Sequence, residues 1–173
     1  LARLDTETKT LERLETSDTE IWGVQAAPTH VVFGGGSSTE PTSIKRLDLR
    51  TEQTTVLRQS NALAIDPGYL SAPQAIEFPT ENGRTAHALF YPPSNRDYSA
   101  PPDERPPLLV KSHGGPTASA ATSLSLGIQY WTSRGIAVLD VNYGGSSGYG
   151  RAYRNRLKGQ WGIVDVDDCV NGA

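Results

Sequence analysis

The stretch PLLVKSHGGP, residues 107–116, decides the fold class that the sequence predicts. Its first half is an apolar run of the kind buried in a parallel sheet, and its second half is a glycine-rich turn. A second apolar run, IAVLDVNY at residues 136–143, follows a segment whose apolar residues recur at helical spacing. Strand, helix and strand in this order form a βαβ unit, which is normally parallel and right-handed. We therefore predict an α/β domain around this stretch.

The connecting helix is predicted over residues 122–134. Leu124, Ile128 and Trp131 lie at positions i, i+4 and i+7, so they form one apolar helical face. Gly135 follows directly and is placed to end the helix.

A β-hairpin is predicted upstream of this unit. QAIEFPT at residues 74–80 and RTAHALFYPP at residues 84–93 flank Glu81-Asn82-Gly83, and Asn-Gly is a strong short-range hairpin signal because both residues tolerate φ > 0. A proline-rich surface loop, residues 92–107, then leads into the α/β stretch.

The first part of the chain contains an internal repeat. LARLDTETKTLERL at residues 1–14 resembles IKRLDLRTEQTTVL at residues 44–57, and Arg3 and Arg46 occupy matching places 43 residues apart. This period is in the range of roughly 40–50 residues that one four-stranded propeller blade occupies. A chance repeat in an unrelated β-meander is the alternative. The strands predicted within one period are residues 20–25, 30–33, 43–49 and 54–57.

A glycine-rich run, GGGSS at residues 34–38, has two interpretations. A loop that binds phosphate would need a GK[ST] ending and a following helix, and both are missing here. We therefore predict a flexible hairpin connection.

Composition excludes several classes of function. The 16 Lys and Arg residues nearly balance the 19 Asp and Glu residues without forming a charged run, so we expect neither nucleic acid nor a membrane as a partner. The single cysteine, Cys169, allows no intrachain disulfide, which is consistent with the cytoplasm. The chain has no methionine and begins at Leu1, so we expect it to be an internal piece of a longer protein.

The turn HGGP, residues 113–116, is the first candidate site. It follows a predicted buried strand, where open α/β sheets place their ligand sites. Two glycines in succession free the backbone to point N–H groups outward, and such donors stabilise the oxyanion of acyl transfer. An ordinary tight turn explains the same residues. His113, Asp140 and Ser146 could be proposed as a catalytic set, but nothing in their spacing predicts that they meet.

Ser146 lies in GGSSG, residues 144–148, a formal match to the GxSxG turn that presents the nucleophile of α/β-hydrolases. The triad of that fold runs serine, acid, histidine, whereas all three histidines here precede Ser146. Gly148 and Gly150 disfavour the helix that should follow the nucleophile. In this fold two helices and two strands should separate the oxyanion turn from the nucleophile turn, whereas one helix and one strand are predicted between His113 and Ser146. We therefore predict that Ser146 is not a nucleophile.

The acidic run IVDVDDC suggests a metal cluster, but it lacks the glycine and distant Glu of a calcium loop. We interpret Asp165 as a helix N-cap and place Asp167 and Asp168 in the first turn, where the macrodipole favours them. Cys169 is interpreted as a small core residue. No metal or cofactor is expected.

Four stretches of the sequence together resemble the prolyl oligopeptidase family of serine peptidases, especially its acylaminoacyl-peptidase and dipeptidyl-peptidase-like branch. These stretches are IEFPTENGRTAHALFYPP, PLLVKSHGGP, YWTSRG and NYGGSSGYG. The resemblance implies that the backbone N–H of Gly115 forms part of the oxyanion hole. It also implies that the nucleophile, in a GxSxGG turn, and then the Asp and His follow beyond Ala173, so that no triad residue lies within the chain. Gly144 stands where many members have arginine, so any role of that arginine does not transfer.

The resemblance implies a mixed architecture. Residues 1–68 would be the end of a β-propeller, about one and a half blades, and residues 69–173 the N-terminal half of an α/β-hydrolase domain. The intact protein would be a serine peptidase that cleaves oligopeptides through an acyl-enzyme, with homo-oligomerisation left open, and this chain alone would be inert. A carboxylesterase with the same HGG turn and a non-catalytic, propeller-containing binding protein are the alternatives.

Overall fold

The computed structural model describes all residues, 1–173. The chain forms two compact units. The first contains Leu1–Ala64 together with Thr122–Leu124, and the second contains Ile65–Ala121 and Ser125–Ala173. Each unit is described by itself. No helix has the length and apolar character needed to cross a membrane.

The first unit consists of antiparallel strands. A two-stranded hairpin is followed by a four-stranded sheet whose strands pair in chain order, and every predicted strand is present. Assignment of this sheet to a propeller blade stays a prediction. The hairpin strands are β1 (Ala2–Leu4) and β2 (Leu11–Arg13), and the sheet contains β3 (Glu20–Ala26), β4 (His30–Gly36), β5 (Ser43–Asp48) and β6 (Thr54–Gln59).

The sequence repeat corresponds to a repeated turn. In each copy an aspartate, Asp5 or Asp48, accepts hydrogen bonds from the backbone N–H groups two and three residues later. Four residues after the aspartate, Lys9 and Glu52 take left-handed φ values of 57° and 56°. The β1–β2 and β5–β6 hairpins therefore share one turn geometry, which argues against a chance repeat.

The glycine run is not the flexible connection that we predicted, because Gly34–Gly36 form the end of β4. A Cβ at Gly34 would lie 2.4 Å from the Trp22 ring, and one at Gly35 would lie 2.7 Å from the Asp18 carboxyl group. The Asp18 carboxylate is itself buried against Lys45, with Nζ 2.6 Å from Oδ1. The glycines thus make room for a tryptophan ring and a buried ion pair within a strand.

The second unit has a four-stranded sheet of order β7-β8-β10-β9. The predicted hairpin is confirmed, and Asn82 and Gly83 take positive φ values of 61° and 66° at its turn. β9 and β10 are parallel, as the βαβ prediction requires, and β10 also pairs antiparallel with β8. The strands are β7 (Gln74–Thr80), β8 (Arg84–Tyr91), β9 (Leu108–Ser112) and β10 (Ala137–Asn142).

The connecting helix, α1 (Leu126–Thr132), is shorter than predicted. Ser125 caps it, because its side chain accepts a hydrogen bond from the N–H of Ile128. Leu124 therefore lies outside the helix. Gly135 follows the helix with a φ of 84°, as a residue that ends a helix should.

The buried face of α1 also differs from the predicted one. Ile128 is buried, but Trp131 is 39% exposed. Gln129 is buried instead, and its amide group exchanges two hydrogen bonds with the backbone of Ser71, at 2.7 and 3.0 Å. Apolar periodicity could not identify this face because a polar residue with both hydrogen bonds satisfied can occupy a core position.

The sheet is covered on both faces, which explains the continuous apolar run of β10. Leu139 and Val141 pack with Tyr143 and Leu157 on one face, while Val138 packs with Ile128 on the other. Cys169 contacts the first cluster, as predicted for a core residue, and burial raises the pKa of its thiol. The remaining helices are α2 (Gly150–Arg154) and α3 (Val164–Gly172), with a 3-10 turn at Asn155–Leu157 between them.

Candidate active site

Two turns lie side by side at one edge of the second unit's sheet. The first follows β9 and contains residues 113–118, and the second follows β10 and contains residues 143–147. They meet because β9 and β10 are parallel neighbours, with Ser112 level with Val141. Ligand sites of α/β sheets form at this edge, beyond the carboxyl ends of the strands.

Gly115 occupies the exposed part of the first turn. Its φ of 71° lies in the left-handed region, which glycine adopts at little cost. Its N–H donates to no acceptor within the chain. A free N–H on an exposed turn is available to bind an oxyanion, and this role of Gly115 stays a prediction.

His113 and Ser146 are in direct contact, contrary to our expectation from the spacing. The Nε2 atom of His113 lies 2.7 Å from the Oγ atom of Ser146. The sequence could not reveal this contact because it depends on the register between β9 and β10. Asp140 does not complete a triad, since its carboxylate pairs with the Lys111 ammonium group across the two strands.

The His113–Ser146 pair lacks the features of a catalytic nucleophile and base. Ser146 is completely buried, so its hydroxyl cannot reach a substrate. No carboxylate orients His113, whose Nδ1 atom instead lies 3.3 Å from the carbonyl oxygen of Gly114. Ser146 N donates to the carbonyl of Tyr143 in a turn, and the next helix, α2, begins only at Gly150.

Further contacts hold the two turns together. Ser147 N donates to the carbonyl of Ala118 at 2.9 Å, and the Ser147 hydroxyl donates to the carbonyl of Thr117. Tyr143 stacks on the His113 ring with a centroid distance of 4.5 Å. Burial raises the pKa of the Tyr143 hydroxyl, which keeps this side chain neutral. The first turn is thus anchored before and after its two glycines.

Asn142, the last residue of β10, is a buried residue that sequence reasoning missed. Its Oδ1 atom accepts from Ala120 N at 2.7 Å, and its Nδ2 atom donates to the Tyr149 hydroxyl at 3.0 Å. Tyr153 donates to the Asn142 carbonyl at 2.6 Å, and burial raises the pKa of this tyrosine. Asn142 therefore connects the segment after HGGP with helix α2. The sequence feature that could have identified Asn142 is a polar residue at the end of an apolar strand.

The acidic run on α3 differs from the interpretation made from the sequence. The N-cap is Ile163, and Asp165 lies inside the helix, where its Oδ1 atom accepts from Gly162 N at 2.6 Å. Asp168 lies after the first turn and is buried. It accepts hydrogen bonds of 2.6 Å from Gly144 N and from the Thr80 hydroxyl. Asp168 therefore stabilises the turn after β10, and no group of three His, Cys, Asp or Glu side chains is placed to hold a metal ion.

Gly144 is in a crowded position. A Cβ there would lie 2.9 Å from Val164 and 3.1 Å from the Cδ atom of Arg156. Arg156 runs past this point and donates to the Thr85 carbonyl at 2.7 Å. Val164 and the Arg156 stem therefore occupy the space that a side chain at residue 144 would need.

Parts of this chain are similar to known peptidases. Residues 122–173 match the family model described as the prolyl oligopeptidase family. The uncharacterized peptidase YuxL of Bacillus subtilis is 24% identical over 93% of this chain and 24% of its own length. An acylamino-acid-releasing enzyme of Arabidopsis thaliana is 41% identical over 37% of this chain and 8% of its own length.

A solved structure of a puromycin-hydrolyzing peptidase of Mycobacterium tuberculosis is 44% identical, with a TM-score of 0.95 over 99% of this chain. The described chain spans 27% of that protein. These similarities support the resemblance to the prolyl oligopeptidase family that the sequence indicates.

Proposed function

We propose that the protein containing this chain is a serine-type peptidase that cleaves amide bonds of oligopeptides through an acyl-enzyme. In this proposal residues 1–68 belong to the end of a propeller and residues 69–173 to the first half of a hydrolase domain. The observation that carries the proposal is the anchored glycine turn after β9, in which Gly115 N–H is exposed and free. The match of residues 122–173 to the prolyl oligopeptidase family model supports the reaction class.

The proposed role of Gly115 follows from acyl-transfer chemistry. When a nucleophile attacks an amide carbonyl, negative charge develops on the carbonyl oxygen, and a preorganised N–H stabilises that charge. One such donor contributes about 10²–10³-fold to kcat. Gly115 supplies one donor, and the residue after the nucleophile supplies the other.

The nucleophile and its base lie outside residues 1–173 in this proposal. Each histidine of the chain is engaged in a contact without a carboxylate. His30 contacts Thr29, His87 stacks on Tyr149, and His113 bonds to Ser146. The chain alone is therefore proposed to be inert.

Amide substrates are proposed ahead of esters. The similarity to a puromycin-hydrolyzing peptidase supports amide hydrolysis, and the repeated hairpin of the first unit supports a propeller, which the carboxylesterase alternative would lack. The test is to compare hydrolysis of puromycin, a peptide anilide and a short-acyl ester by the intact protein. We expect cleavage of the amides. Ester cleavage without amide cleavage would support a carboxylesterase, and inactivity on all three would support the binding-protein alternative.

A further inference from the structure

The buried hydroxyl of Ser146 is the only side-chain hydrogen-bond partner within 3 Å of the His113 ring. Ser146 has no exposed surface, so its role is internal to the protein. It follows β10, whereas His113 follows β9. The bond of 2.7 Å therefore fastens one turn to the other at the residue that immediately precedes Gly114.

The surroundings of the ring set the direction of this hydrogen bond. The Nδ1 atom of His113 lies 3.3 Å from the carbonyl oxygen of Gly114, which can only accept, and 3.4 Å from the Tyr143 hydroxyl. The tautomer that satisfies the Gly114 carbonyl has its proton on Nδ1. Nε2 is then the acceptor, and Ser146 donates its hydroxyl proton to it. Tyr143 fixes the plane of the ring by stacking at 4.5 Å.

The two glycines cannot fix their own orientation. A Cβ built at Gly114 or Gly115 would meet no atom within 4 Å, so no packing on the Cβ side holds these glycines. The Gly115 carbonyl accepts from Ala118 N at 3.2 Å and from the Tyr143 hydroxyl at 3.4 Å. Gly115 N–H makes no hydrogen bond of its own, so its direction depends on these contacts and on the residues at either side. His113 anchors the turn before the glycines, and Ser147 anchors it after them through Thr117 and Ala118.

We propose that Ser146 is a positioning residue of the oxyanion hole: its hydroxyl acts through His113 to aim Gly115 N–H at the developing oxyanion. This inference rests on the proposed function. A displacement of about 1 Å in a catalytic group can cost about 10²-fold in rate. Loss of the Ser146 hydroxyl should therefore lower kcat about 10–100-fold, with little change in KM, because an oxyanion donor acts in the transition state.

Ser71 provides a matched control. It is a buried serine of the same unit, 2% exposed, and its hydroxyl donates to the Pro92 carbonyl at 2.5 Å. Ser71→Ala therefore removes a comparable buried hydrogen bond at a place that does not contact the HGGP turn. Both variants should lower thermal stability, whereas only Ser146→Ala should change the chemistry.

The experiment measures kcat and KM for a peptide anilide with the intact wild-type protein, Ser146→Ala, Ser146→Cys and Ser71→Ala. Binding of a peptide boronate, which mimics the tetrahedral intermediate, is measured alongside. We expect Ser146→Ala to weaken boronate binding by the same factor as kcat. Ser146→Cys keeps a weak donor of similar size, so its kcat should fall between those of wild type and the alanine variant.

The outcomes separate this inference from the proposed function. An active wild type with kcat of Ser146→Ala equal to that of Ser71→Ala would overturn the positioning role alone. An equal loss of boronate affinity in Ser146→Ala and Ser71→Ala would also overturn the positioning role. An inactive wild type would overturn the proposed function and this inference with it. Should Ser146→Ala not fold, unchanged kcat and boronate affinity in Ser146→Cys would still refute the positioning role.

Discussion

Replacement of Asp168 by alanine should destabilise the turn after β10 strongly. The buried carboxylate accepts from Gly144 N and from the Thr80 hydroxyl, both at 2.6 Å. A hydrogen bond to a charged group contributes about 1.5–3 kcal/mol. Removing both should cost about 3–5 kcal/mol, since the Gly144 N–H also loses its buried acceptor. Asp168→Asn should cost about 1–2 kcal/mol, because an amide of the same size keeps an acceptor but loses the charge.

The assay is hydrogen exchange at the Gly144 amide, combined with urea unfolding. Exchange at Gly144 should accelerate in Asp168→Ala and much less in Asp168→Asn. Asp167→Ala is the control, because the neighbouring Asp167 side chain has no hydrogen-bond partner and its charge contributes only about 0.3–1 kcal/mol through the helix dipole. Exchange at Gly144 that is as slow in Asp168→Ala as in Asp167→Ala would contradict this role of Asp168.

Three further results are expected. Gly115→Ala should lower kcat of the intact protein by about 10-fold or more. Alanine at a φ of 71° costs about 1–2 kcal/mol, so the backbone of the turn should relax to another conformation. Unchanged kcat and boronate affinity would contradict the oxyanion role of Gly115. Lys45→Met should destabilise the first unit by about 3–5 kcal/mol in urea unfolding, because it leaves the buried Asp18 carboxylate without its cationic partner. The double variant Lys45→Met, Asp18→Leu should recover much of that stability. Equal destabilisation of the single and double variants would contradict the importance of this ion pair. Gly34→Ala should shift tryptophan fluorescence, since the new Cβ would displace the Trp22 ring that lies 2.4 Å away, and an unchanged spectrum and Tm would contradict the close packing.

Local signals in the sequence predicted the elements that local rules determine. The Asn82-Gly83 turn and the two apolar strands around α1 were predicted from turn chemistry and from runs of apolar residues, and they are present. Helix α1 begins later than predicted, because Ser125 caps it by accepting a hydrogen bond from the N–H of Ile128.

Contacts between distant segments could not be predicted in the same way. Ser146 meets His113 only because β9 and β10 pair in one particular register, which a single sequence does not specify. Asp168 looked like a first-turn acid, since its two donors lie 24 and 88 residues away. Buried polar residues were therefore the main source of error, because their partners decide whether such residues are buried.

In the proposed peptidase the nucleophile is separate from the buried Ser146 that follows β10. The most direct measurement is to label the intact protein with a fluorophosphonate probe and to locate the modified serine by mass spectrometry. We expect one modified serine outside residues 1–173, with labelling lost after heat denaturation. Modification of Ser146 would contradict it, and so would an intact protein that cleaves peptides without any serine being modified.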